Sequence, residues 1–242
     1  MIFPLRDSPR PATWPAVVVL IIVTNVLVFF WELSLGASHQ LDAAIEVFGF
    51  VPRRFFGWEQ AGGATLDPWR FVPLLTANFL HGGWLHIIGN MWFLGVFGDN
   101  VEDRLGHLRF LIFYLLCGAC SMLVQGFVLP DAGVPAIGAS GAIAGVLGAY
   151  LVLYPSARVR TLVFLFIVDL PAVVFLGVWF LSQLMSGTAS LTPGAAQAAG
   201  VAWWAHIGGF VVGMGLCVLF RKDEAPRPRR DWTTRPPRGL WV

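Results

Sequence analysis

The stretch Gly138-Ala139-Ser140-Gly141-Ala142-Ile143-Ala144-Gly145 places one hydroxyl among small residues at the start of an apolar helix. A serine hydroxyl is a weak nucleophile until a base takes its proton, and donors must then hold the oxyanion formed on attack. Side chains this small leave room around Oγ and let a second backbone come close. The same run also suits plain helix packing, with the serine bonded to its own turn. The rest of the chain has to separate the two readings.

Working outward, the 242 residues are 57% hydrophobic and 12% charged, with a mean hydropathy of +0.71. That composition belongs to an integral membrane protein, not a soluble globule. A net charge of +2 gives no footprint for nucleic acid. Cys117, Cys120 and Cys217 all lie in apolar stretches and read as packing residues. Cys117-x-x-Cys120 lacks the further His or Cys that a metal site needs, so no metal and no cofactor are expected.

Six hydrophobic helices are expected, making an all-α polytopic membrane protein with a short helix 4. Residues 1–14 form a polar, Pro-rich N-terminal segment, residues 15–221 the six-helix membrane domain, and residues 222–242 a disordered Pro- and Arg-rich tail. Helix 1 runs from Pro15 to about Leu35. The mixed stretch from Gly36 to Leu80, with Arg53, Arg54, Trp58, Trp69 and Arg70, reads as short amphipathic pieces in the interface. Helix 2 is expected over Gly83–Gly98 and helix 3 over Leu108–Val128. Two prolines and two glycines within 129–138 then force a non-helical approach to Ser140. Helix 4 covers Ser140–Tyr154, and an apolar segment over Thr161–Asp169 leads to Pro171, a good first-turn residue for helix 5. Helix 5 ends near Met185, Ser186–Ala199 is an uncharged loop, and helix 6 runs from Gly200 to Phe220.

Six spans put both termini on one side. Of the 16 Lys and Arg residues only Arg53, Arg54 and Arg70 then fall on the other side, so the positive-inside rule assigns both termini to the cytoplasm. The Arg-heavy, Lys-poor usage leans towards a bacterial cytoplasmic membrane.

Helix 4, at about 15 residues and about 1.5 Å each, is roughly 22 Å long against roughly 30 Å of hydrocarbon. Measured up from Tyr154, Ser140 therefore sits below the outer surface, and the irregular backbone before it implies a polar cavity open to the outside. The same rise separates Phe220 from His206 on helix 6. A histidine at membrane depth, level with that serine, is a functional candidate by default. Ser140, Ala144 and Gly148 share one helical stripe, and His206, Gly209 and Gly213 another, so small residues allow the two helices to meet. On helix 2, His86 and Asn90 lie one turn apart on one face near the same level. Either side chain is placed to stabilise an oxyanion beside the backbone N–H of Ser140. Asn90 as a simple interhelical bridge stays open.

The chain resembles the rhomboid family of intramembrane serine proteases. The resemblance rests on Trp69-Arg70; His81-x4-His86-x3-Asn90; Glu102 with Arg104 and Gly106; Gly138-Ala139-Ser140-Gly141; and Ala205-His206-x-Gly208-x4-Gly213. It implies a six-transmembrane-helix bundle, a catalytic dyad of Ser140 and His206, oxyanion support from His86 and Asn90, and a structural role for Trp69-Arg70 in a membrane-lying loop. Partners are then transmembrane protein substrates and membrane lipid, with no nucleic acid. No third carboxylate is required: Asp169 is out of reach, and Glu32 approaches His206 only if helix 1 borders the site. The competing reading is a non-catalytic membrane chaperone of the same fold, or a small-solute transporter.

Overall fold

The computed structural model describes residues 2–37, 40–58, 62, 68–192 and 201–221. The expected tail and residues 193–199 of the expected loop before helix 6 lie outside the described residues. All six hydrophobic helices form: α1 (Ala16–Ala37), α5 (Trp84–Leu105), α6 (His107–Val128), the short α7 (Ser140–Leu153), α8 (Ala172–Ala189) and α9 (Trp203–Phe220). Between α1 and α5 lie the expected short pieces: α2 (Leu41–Phe48), α3 (Pro52–Phe56), α4 (Val72–Thr76) and two 3₁₀ turns. Helices α1, α6, α8 and α9 are each long and apolar enough to span. The segment 68–79 with α5, bent by 84°, is a fifth candidate.

Two boundaries differ from the sequence reading. Helix α5 does not stop near Gly98 but continues to Leu105, and its charged last turn works as a cap for α1. Both Glu102 carboxylate oxygens accept the first α1 amides, from Val17 (2.9 Å) and Val18 (2.8 Å), while Asp103 accepts from the Thr13 amide and hydroxyl. A carboxylate at a helix N-terminus satisfies orphan donors and complements the dipole. Helix α8 continues to Ala189, four residues past the expected end.

A third difference is a three-stranded antiparallel sheet, ordered β1 (Ile2–Asp7), β2 (Arg158–Val163), β3 (Phe166–Pro171), where the sequence suggested a polar N-terminal segment and an apolar connector. Residues Val159–Val163 and Phe166–Val168 are rich in the β-branched and aromatic side chains that favour strands. Arg160 and Asp169 pair across the base of the hairpin at 3.1 Å. Above them come Thr161 opposite Val168 and then apolar rows up to a two-residue turn, Phe164-Leu165, where Phe164 takes φ 54°. β1 lies along α5, with the Trp92 indole N–H donating to the Pro4 carbonyl (2.6 Å). At its lower end Asp7 accepts from the Tyr150 hydroxyl of α7 (2.6 Å) and the Asn100 amide of α5 (2.9 Å). Burial pushes the Asp7 carboxyl up to about 7, and those donors oppose the shift.

The core is centred on α7, whose residues 141–150 are all buried. Its closest neighbour is α9, and glycine sets the approach. A Cβ on Gly209 would collide with the Gly141 carbonyl oxygen, one on Gly213 with that of Gly145, and one on Gly148 with that of Phe210. These obstacles are backbone and cannot swing aside. Gly215, on the same α9 helix, faces open space. We predict opposite outcomes at the two sites. Gly209→Ala should lose about 1–3 kcal/mol by overpacking, while Gly215→Ala should gain up to about 1 kcal/mol from helix propensity. Thermal melting of both proteins in one detergent is the check, and equal effects would contradict the backbone contact.

Candidate active site

The residues that precede α7 set the position of its first hydroxyl. Residues 129–139 are non-helical, opening on a turn in which the Ala132 amide donates to the Leu129 carbonyl, and the backbone finds partners outside any helix: Ala136 exchanges two hydrogen bonds with Phe50, and the Gly138 amide donates to the Ala77 carbonyl at 2.8 Å. Irregular backbone at membrane depth is tolerated when protein satisfies it in this way. Gly138 adopts φ +123°, a conformation that favours glycine. A Cβ there would also sit 2.6 Å from His86 Nε2 and 3.7 Å from Asn90 Nδ2. The glycine before Ser140 thus brings the chain against both side chains of α5.

Ser140 opens α7, so its backbone N–H is one of the first-turn amides with no partner inside the helix. Its Oγ lies 2.7 Å from Nε2 of His206. On the other side of the imidazole, Nδ1 lies 2.8 Å from Oε1 of Gln183 on α8. Two indoles flank the ring, Trp179 at 6.1 Å between centroids and Trp203 edge-on at 6.0 Å. A cavity of about 630 Å³ opens over the pair and is lined by His86, Asn90, Gln125, Ser140, Trp179 and His206. Asn90 is 8% exposed, and its Nδ2 has no hydrogen-bond partner. Gln125 Oε1 accepts the Ala205 amide (3.2 Å), tying the start of α9 to α6.

All four sequence-predicted site residues therefore converge on one cavity. Glu32 does not join them. Its two carboxylate oxygens accept the His81 backbone N–H at 3.0 and 3.1 Å, pinning α1 to the turn that leads into α5. Asp169 is likewise elsewhere, paired with Arg160. Arg70 sits over the rings of Phe55 (5.0 Å) and Phe71 (5.8 Å), a structural position in the connecting segment. Gln183 was missed by the sequence reading. The available signal was a primary amide standing in an otherwise apolar span, which at membrane depth asks for a partner.

These features define a multi-pass helical membrane protein with a serine and a histidine hydrogen-bonded to each other in one cavity. Residues 67–223 match the Rhomboid domain. The chain is 32% identical over 161 residues to Rhomboid-like protein 11, chloroplastic, of Arabidopsis thaliana, covering 66% of this chain and 56% of that protein. It is 31% identical over 169 residues to Presenilin-associated rhomboid-like protein A, mitochondrial, of Danio rerio, covering 64% and 40%. The chain belongs to the rhomboid family. It spans about half the length of these curated relatives.

Proposed function

We propose that this rhomboid is an intramembrane serine endopeptidase that cuts single-span membrane proteins by acyl transfer. The observation carrying the reading is the 2.7 Å contact between Ser140 Oγ and His206 Nε2 in a cavity that also holds the unpaired Asn90 amide nitrogen. His206 Nε2 takes the Ser140 proton as Oγ attacks the scissile carbonyl carbon. The carbonyl oxygen becomes an oxyanion held by the Ser140 N–H, Asn90 and His86. Collapse breaks the peptide C–N bond, and the imidazolium gives its proton to the leaving amine. Water, activated by the same imidazole, then hydrolyses the ester and restores Ser140.

A helical peptide bond is hydrogen-bonded and sterically covered, so the substrate span has to unwind near the cavity. Weak helix formers close to the cut lower that cost. Among the four independent span helices α8 is the least buried, and it meets α5 through Phe175 against Phe93 and Phe97. Substrate entry from lipid is assigned to that seam. On this reading the protein lies in a cell membrane with both termini cytoplasmic, an orientation that the distribution of basic residues supports. A reporter fused after Val242 is expected to read cytoplasmic and one inserted at Gly62 external; the reverse pattern would overturn the orientation.

A fluorophosphonate serine probe tests the chemistry. Purified wild-type protein should be labelled, while Ser140→Ala and His206→Ala should each lose labelling and cleavage. The double variant should be no worse than either single one, since the two groups act as a unit. Cleavage by the Ser140→Ala protein would exclude the mechanism. Asn90→Ala separates oxyanion support from helix bridging. As an oxyanion donor its loss lowers kcat on the order of tenfold to a thousandfold with KM little changed. As a bridge its loss lowers stability by roughly 0.6 kcal/mol and spares turnover. The expected result is the first, read from kinetics and melting on one sample.

A further inference from the structure

Gln183 is 6% exposed in the middle of the apolar helix α8. Its amide orientation follows from its neighbours. Nε2 lies 2.9 Å from Ser182 Oγ and 3.3 Å from the Trp179 carbonyl. Ser182 has already committed its own proton to the Trp179 carbonyl (2.6 Å), so its oxygen can only accept from Gln183. Reversing the amide would set Oε1 against that carbonyl oxygen, two acceptors face to face. Nε2 therefore belongs where it is, and Oε1 is the atom presented to His206 Nδ1 at 2.8 Å.

An amide oxygen carries no proton, so this contact is a hydrogen bond only if Nδ1 bears one. Neutral imidazole has a single ring proton. With that proton on Nδ1, Nε2 is left as the acceptor facing Ser140 Oγ. Resting on the reading of His206 as the base, we propose that Gln183 is a positioning residue that fixes the His206 tautomer in which Nε2 can take the serine proton. It does so without charge, where a buried carboxylate would carry a desolvation cost. Trp179, tilted at 31° to the imidazole plane, comes from the same helix. The orientation of the base therefore depends on α8 being seated against α9.

The groups facing His206 are Ser140 from α7, Gln183 and Trp179 from α8, Trp203 from α9 and, as the neighbouring titratable side chain, His86 from α5. Two variants and one spectrum make the test. Gln183→Leu should slow fluorophosphonate labelling by about tenfold to a hundredfold with the melting temperature near that of wild type. Gln183→Glu keeps an acceptor and should restore labelling. Its carboxylate stabilises the imidazolium, so the rise of labelling with pH should move to higher pH, a shift that a packing role would not produce. Nitrogen-15 NMR of His206 in the wild-type protein should show the Nδ1–H tautomer. Labelling of Gln183→Leu at the wild-type rate, or an Nε2–H tautomer in the wild type, overturns the proposal. The spectrum needs no variant, so it decides even if Gln183→Leu fails to fold. It also stands apart from the protease reading: wild-type protein that takes no label refutes that reading, while the tautomer still reports on Gln183.

Discussion

The backbone contact between α7 and α9 is the constraint on which the site depends. Ser140 and His206 come from different helices, and their side chains are short relative to the normal spacing of helix axes, about 8–10 Å. The 2.7 Å contact between Oγ and Nε2 is reached because Gly209 and Gly213 press against the carbonyls of Gly141 and Gly145. In lipid no hydrophobic effect draws helices together, and close van der Waals contact at small residues replaces it. The stripe that binds the helices is therefore the stripe that assembles the site. The packing and catalytic readings of the small residues around Ser140 are two consequences of one geometry.

The second constraint is the shortness of α7. Its 14 residues leave Ser140 below the level that a full span would reach. The chain must descend to it without helical hydrogen bonds, and Phe50 and Ala77 supply the missing partners. Gly138 then turns the chain against His86 and Asn90. The cavity, the unpartnered first amides of α7 and the side chains of α5 thus follow from one early helix start.

Much of this was legible in the sequence because helical rise is a fixed ruler and glycine patterns mark close approach. The level of His206 with Ser140 needed only counting, and the shared faces needed only the 3.6-residue period. What escaped was non-local. The sheet pairs residues 2–7 with 159–163, a contact between segments that each look unremarkable alone. The continuation of α5 through Asp99–Arg104 was hidden because its charges look like a loop until Glu102 is seen capping α1. Gln183 was hidden because the partner that gives it meaning is on another helix.

The distribution of charge explains the form the site takes. The acidic groups Asp7, Glu102 and Asp103 gather where α1 begins and α5 ends, and there they accept amides and hydroxyls of neighbouring elements. Around Ser140 the polar groups are uncharged hydroxyl and amide or imidazole: Ser140, Asn90, Gln125, Gln183, His86 and His206. Glu32, the acidic side chain buried in α1, accepts the His81 amide with both oxygens. A carboxylate beside His206 would stabilise the imidazolium, but it would have to be held at all times in a low-dielectric layer. Gln183 gives the direction of the hydrogen bond without that standing cost. On the protease reading, the membrane thereby favours a serine and a histidine oriented by a neutral amide, and much of the stabilisation of developing charge would fall to donors already in place before a substrate arrives.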